Sequence, residues 1–455
     1  MKKIYTAILT TLFIFGFYLT PAFAIVEKKP KKEKQEVKTS VIEDINLDWW
    51  KNLNDSYLES YIMRAIENNH DIKSAQLKLE EANLNVTMTR SNQLPQFSVG
   101  FSPAVAKFPT MTNSNGSFAI PLIASYELDI FGKNWDKTKS SKKIAKSAQY
   151  QAQVSNIAIV SMVGTTYYNV VKLDKLIELQ EELVKNRKEI YDLMKISNEE
   201  GLSSTSDLIL SEKNYVLSQN DLIEYKKSRE NALNALAVLI GDSPNNTKEY
   251  ERISLDELDN NFEIPSEISS EIIVNRPDYK ALENQLEAKG IDIRVAKKEF
   301  LPTIDILGML SFVAASSLSG GMDWKNAFAF AGGSAMLPVF TGFRRIANLK
   351  LSKNYYQQIL EEYQKTNLSA MQEVNDSLYN LKSNKEKSDN NKKALDIQDR
   401  DYQISKKKFD EGVISKLDLL QQKEALLYIE QLSATSKTDC YISKIGLYKA
   451  TGAKV

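Results

Sequence analysis

The sequence predicts a mainly α-helical chain with membrane-type β-structure: two duplicated halves, each giving a long coiled α-helical hairpin and two strands, four strands per chain. Three observations predict it. Landmarks repeat in the same order about 207 residues apart, two long stretches lack proline and carry heptad spacing, and short segments next to them alternate with a period of two.

The N-terminal residues read as an export signal. Lys2 and Lys3 precede an apolar run over 7–19, followed by the small-x-small site Ala22-Phe23-Ala24. The run is shorter than the roughly 20 residues a spanning helix needs, so 1–24 is expected to be removed after Ala24. Residues 25–48, with a lysine-rich run at 28–34, are expected to be a flexible extension, and order to begin at Trp49-Trp50. No later segment is apolar and long enough for a spanning helix, so a membrane crossing requires β-structure.

The repeat divides the rest into 49–262 and 263–455. Asp71 and Pro95 recur as Asp278 and Pro302, both 207 residues on. Phe131-Gly132 matches Phe340-Thr341-Gly342, and Glu200-Gly201-Leu202 with Asp207 matches Glu411-Gly412-Val413 with Asp418 at a spacing of 211. This period is too long for a solenoid unit; it marks a duplicated half. Each half reads helix, strand pair, very long helix, turn, helix.

Hairpins are expected at 96–131 and 303–340. Ile120, Leu122, Ala124, Tyr126 and Leu128 share one face; Ser125, Glu127 and Asp129 share the other. The second hairpin is less regular, because 313–317 breaks the alternation. No proline occurs between Pro121 and Pro244 or after Pro338, and proline inside a helix costs about 3 kcal/mol. Leu176, Leu183 and Ile190, with Leu395, Tyr402 and Phe409, recur every seven residues there, the spacing of helices coiled on neighbours. A helix from 133 to 200 would run roughly 100 Å. Turns follow near 201–207 and 412–418.

Composition excludes several functions. Lys+Arg and Asp+Glu are both 59, which gives no basic surface for nucleic acid. With one histidine, His70, and one cysteine, Cys440, no histidine-rich or thiolate metal site can be built. No phosphate loop, dinucleotide fingerprint or nucleophile motif is present, so neither an enzyme nor a cofactor is expected. His70 lies beside a helix start and is expected to have a structural or surface role; Cys440 is expected to be a buried or half-buried helix residue, and no cysteine follows the cleavage site to carry a lipid.

Four strands cannot close a membrane barrel alone, since the smallest single-chain barrels have about eight. If the hairpins lie in lipid, several copies must pool them, with Glu127 and Asp129 facing water in the lumen. A small soluble sheet packed on a core would alternate in the same way.

The ordered set Trp49-Trp50-Lys51, Leu94-Pro95, Tyr126-Glu127-Leu128-Asp129-Ile130-Phe131-Gly132, Asn275-Arg276-Pro277-Asp278, Leu301-Pro302, Leu337-Pro338-Val339-Phe340 and 412–420 resembles the TolC-like outer-membrane efflux proteins, especially the branch that partners RND-type pumps. The resemblance covers the whole mature chain. It implies a homotrimer in outer-membrane lipid, with a trimeric 12-stranded β-barrel continuous with a periplasmic α-helical tunnel. It also implies an equatorial region built partly from 241–262, a periplasmic adaptor protein, and an inner-membrane RND or ABC pump. The implied function is passive export through a tripartite efflux system. Type I protein secretion, or a periplasmic coiled-coil scaffold without a pore, are the alternatives.

The resemblance carries the entrance to the two turns. Asp207 and Asp418 match the family's constricting carboxylates, and Ser206, Ser415, Gly201 and Gly412 accompany them. A ring of carboxylates binds cations or hydrogen bonds across subunits. The same residues read equally as capping boxes, Ser204-x-x-Asp207 and Ser415-x-x-Asp418. Where some relatives have Tyr and Arg near this turn, the chain has Phe409 and Ile414, so closure must use other contacts.

Overall fold

The computed structural model describes residues 49–106, 115–244, 250–259, 264–315 and 327–453, all within a unit spanning 44–455 and distinct from 1–43. The expected signal, the extension and both hairpin loop ends lie outside the described residues, as does part of 241–262.

A 3-10 turn at Trp49–Leu53 precedes α1 (Ser56–Asn68) and α2 (His70–Ser91). Strands β1 (Gln96–Val99), β2 (Ser102–Ala106) and β3 (Asn115–Leu128) lead into α3 (Lys133–Glu199) and α4 (Thr205–Leu239). After a short turn at Leu255–Glu257 the second half gives α5 (Ser270–Val274), α6 (Pro277–Lys298), β4 (Thr303–Ala315), β5 (Ala327–Met336), α7 (Arg344–Asp410) and α8 (Lys416–Ala450).

The duplication is quantitative. Helices α2 and α6 both have 22 residues, α3 and α7 both 67, α4 and α8 both 35. The offset is 207 from the start of α2 to that of α6 but 211 from α3 to α7, so the second half gains its four residues within the strand pair. At about 1.5 Å per residue α3 and α7 each extend about 100 Å. Both begin after a left-handed residue at the same repeat position, Gly132 (φ 67°) and Phe343 (φ 64°).

The sheet is antiparallel in the order β1–β3–β4–β5, with β2 also on β3. β1 and β2 are one rung, because Val99 faces Leu122 and Ser102 faces Ala119 without a change of register. Pro121 causes the gap between them. Gly100 N–H donates to the Pro121 carbonyl at 2.9 Å, but proline has no N–H to return the bond. Four rungs therefore remain, as expected, and β4 continues regularly to Ala315 despite the irregular sequence after 312.

Helix packing forms a wall with two edges. Near the strands the neighbours run α2–α3–α6–α7; farther along they run α4–α3–α8–α7. The core lies along the inner seams: Leu176, Leu179 and Leu183 of α3, Val374 and Leu381 of α7, and Leu427, Cys440 and Leu447 of α8 are buried. Near the middle of the long helices Trp49 stacks on Tyr448, while Tyr61, Tyr167, Tyr168 and Tyr441 form a chain of aromatic contacts. His70 is the exposed first residue of α2. Among the described residues no helix is long and apolar enough to cross a membrane.

Candidate functional site

The two ends of the wall hold the candidate residues. At the turn end, α3 and α7 stop by the same device. Gly201 (φ 73°) and Gly412 (φ 75°) take the left-handed conformation. Leu202 N–H then reaches Ser197 O at 2.7 Å and Val413 N–H reaches Lys408 O at 2.8 Å, closing the last helical turn. This leaves Leu202 83% and Val413 66% exposed, a repeated pair of apolar side chains in solvent.

The following helices are capped as the sequence suggests, with one difference. Ser204 Oγ accepts Asp207 N–H at 3.1 Å and its hydroxyl donates to Asp207 Oδ2 at 2.7 Å. Ser415 and Asp418 repeat both bonds and add the reciprocal one, Ser415 N–H to Asp418 Oδ2 at 3.0 Å, so the complete box forms only in the second turn. The Ser415 hydroxyl and backbone N–H hold the exposed Asp418 carboxyl below the usual aspartate range. Ser206 is exposed in the first turn of α4, and Phe409 and Ile414 are half-buried.

Behind the turns, polar ties join α3 to its two neighbours. Arg187 donates Nε and Nη2 to Glu424 Oε1 at 2.9 and 2.7 Å and Nη1 to Asn214 O at 3.2 Å, thereby bridging α8 and α4. The buried Asn186 donates to Leu420 O at 2.9 Å. Gln180, also buried, donates to Ser218 O and accepts from Gln431, both at 2.9 Å. Lys416 with Glu189 and Lys423 with Glu182 flank them. Nothing in the sequence marks these residues, because a polar residue on a long helix looks solvated until its neighbour is known.

At the strand end, the two lumen candidates have different settings. Glu127 lies in β3 and pairs with Lys133 at 2.6 Å. Asp129 lies just past β3; its two oxygens accept the N–H groups of Asn134 at 3.1 Å and Trp135 at 2.7 Å, at the start of α3. It thus satisfies the helix N-terminus that the side-chain-less Gly132 leaves open.

The sheet has two unlike faces. Phe97, Val99, Ile120, Leu122, Ala124, Tyr126, Ile304, Ile306, Leu310, Ala329 and Ala331 fall on one, which carries no charge. Gln96, Ser98, Ser125, Glu127, Asp305 and Ser334 fall on the other, together with Ile123, Leu307, Met309, Phe328 and Phe330.

The helix wall also leaves matched apolar stripes on its edges. Ile209, Val216 and Ile223 of α4 and Ile397 and Ile404 of α7 are exposed at heptad spacing. Ile209 stands eight residues from Gly201 and Ile404 eight from Gly412; Val216 and Ile397 each stand 15 from the same glycines. No group of residues able to hold a metal occurs among the described residues.

A family model described as outer membrane efflux protein matches residues 61–242 and 268–453, one stretch in each half. The chain is 25% identical to the toluene efflux pump outer membrane protein TtgC of Pseudomonas putida, across 99% of this chain and 96% of that one. It is 24% identical to the cation efflux system protein CusC of Escherichia coli, across 90% and 89%. Among solved structures, the Campylobacter jejuni CmeC outer membrane channel superposes with a TM-score of 0.81 at 26% identity, over 90% of this chain and 88% of that one. The open state of the Neisseria gonorrhoeae MtrE outer membrane channel shares the fold, with a TM-score of 0.78 at 24% identity over 88% and 89%.

Proposed function

This chain belongs to the outer membrane efflux protein family, and from that premise we propose that it forms a homotrimeric duct carrying solutes passively from an inner-membrane pump across the periplasm and outer membrane. Members of the family are channel proteins rather than enzymes.

One observation supports the trimer: both layers of the chain end in two open edges. β1 with β2 forms one sheet edge and β5 the other, and open edges are not tolerated in lipid. Three copies of four rungs give twelve strands, enough to close a barrel. The uncharged face meets lipid, and the face with Glu127 and Asp305 meets water. In the helical wall the stripe on α4 and the stripe on α7 lie level, counted from the repeat-related glycines. Side by side, copies bury both stripes as a coiled seam.

The turn end is the periplasmic entrance. Asp207 and Asp418 line it as carboxylates, and their capping bonds fix where those charges stand. The polar ties of Arg187, Asn186 and Gln180 to α8 supply the closure that Phe409 and Ile414 do not. Leu202 and Val413 offer the helical hairpins of a periplasmic adaptor an apolar foothold. Relatives are named for toluene and for cations; in this reading substrate choice belongs mainly to the pump, an RND pump.

The test is to place Cys at Val216 and at Ile397 in one chain. Between-copy disulfides that trap a three-chain species in outer-membrane fractions support the duct; cross-linking confined to single chains refutes it.

A further inference from the structure

Strand register sorts the charges of the sheet more finely than alternation does. Glu127 and Asp305 are the only charged residues among the described strand residues, and β3 and β4 pair them directly. Pro121 aims its carbonyl at Gly100 of the β1 side. Residues of β3 in step with Pro121, Glu127 included, therefore turn their backbone polar groups away from β4. That makes Glu127 and Asp305 a non-hydrogen-bonded pair, the closer kind, with Cβ atoms about 4.5–5.5 Å apart.

Like charges at that spacing repel, and the structure relieves only one of them. Lys133 sits 2.6 Å from Glu127. Asp129, three residues along from Tyr126, is occupied by the N-terminus of α3. Asp305 is exposed and makes no ion pair or side-chain hydrogen bond among the described residues. Its other direct neighbour is Ser334 of β5, which is neutral. Farther up the same face the rows Ser125–Leu307, Ile123–Met309 and Pro121–Ser311 carry no charge.

We propose that Asp305 sets the charge preference of the barrel lumen, one uncompensated carboxylate per copy at the end nearest the helices, drawing cations in and turning anions away. The inference rests on the duct described above. Among the described residues, the start of α7 at the same end carries Arg344 and Arg345, which form no ion pair there; dominance by these arginines would favour anions instead. Exposed charges act over about 10 Å at 0.1 M salt and about 3 Å at 1 M, so the preference is strongest in dilute salt.

The test is the reversal potential of single channels in a KCl gradient across a planar bilayer. Wild type should prefer K⁺ at low salt, and Asp305→Asn should lower the K⁺/Cl⁻ permeability ratio about twofold or more. Adding Ser334→Asp to Asp305→Asn should restore the ratio, since that carboxylate stands beside the lost one on the same face. Asp305→Asn channels of normal conductance with an unchanged ratio, or an anion-preferring wild type, would overturn the assignment. Absence of any wild-type current would refute the duct itself, and this inference with it.

Discussion

Asn69 and Arg276 stand 207 residues apart and make the same tie. Asn69 Nδ2 donates to Leu239 O at 2.9 Å and Arg276 Nη1 to Ala450 O at 2.7 Å, and the two acceptors end α4 and α8. Terminal helix carbonyls have no partner inside the helix, so each half closes by giving its last one to the residue that starts its second or sixth helix. The two differ in what else they do. Asn69 caps α2, accepting from Asp71 and Ile72, whereas the buried Arg276 reaches Asp278 and, at 2.8 Å, Glu373 of α7.

Arg276→Ala should accordingly cost about 2–3 kcal/mol, because a helix-end carbonyl and two carboxylates are deprived of their donor together. Asn69→Ala should cost about 1–2 kcal/mol, a cap and one bond. Lysine at 276 should recover only part, because a point charge cannot serve three acceptors at fixed angles. Denaturant titration of the purified protein checks the ranking.

The turn glycines make a cleaner backbone test. A Cβ at Gly201 or Gly412 would meet no atom within 4 Å, so alanine there adds no clash and only the left-handed conformation is strained. Each substitution should cost about 1–2 kcal/mol, confined to the turn. Amide exchange should rise over 197–204 or 408–415 and stay unchanged near Tyr167.

Acid should undo the second turn late. Since Ser415 holds the Asp418 carboxyl below its ordinary value of 3.8, the cap contributes at every pH above that value. It is lost only as pH falls through the lower folded value. Amide protection at 415–419 should therefore persist at about pH 5 and vanish in stronger acid, and Asp418→Ala should remove both the protection and its pH dependence.

The polar ties predict the resting state of the entrance. Arg187→Ala removes one of the ties from α3 to α8 and releases the Asn214 carbonyl of α4 at one stroke, so single-channel conductance should rise. Glu424→Ala should raise it by a similar amount, and the double variant by little more, the pattern of two groups in one contact. Conductance equal to wild type in all three would mean that the tie does not hold the entrance.

Much of this architecture was legible in the sequence because it depends on spacing. The 207- and 211-residue offsets foretold the matched helices, and the proline-free stretches with their heptads foretold one very long helix in each half. What escaped depended on neighbours. Alternation through Asp129 looked like continued strand, yet the chain turns at Gly132 and the carboxylate serves the helix that follows. Asp305 was only one position of the hairpin expected at 303–340 until the register set it opposite Glu127 and the Lys133 contact left it alone. Arg187 and Asn186 offered no pattern at all, since their partners lie more than 230 positions away in α8. Gly100 and Pro121 gave no hint of a broken rung because the break needs both strands.

The pairing of chain edges into one continuous pore is tested most directly by adding the purified mature protein to a planar lipid bilayer and recording current. Paired edges should give discrete, uniform current steps from a species that runs as three chains before heating and as one after. A protein that stays a single chain in detergent and passes no current at any voltage would contradict it.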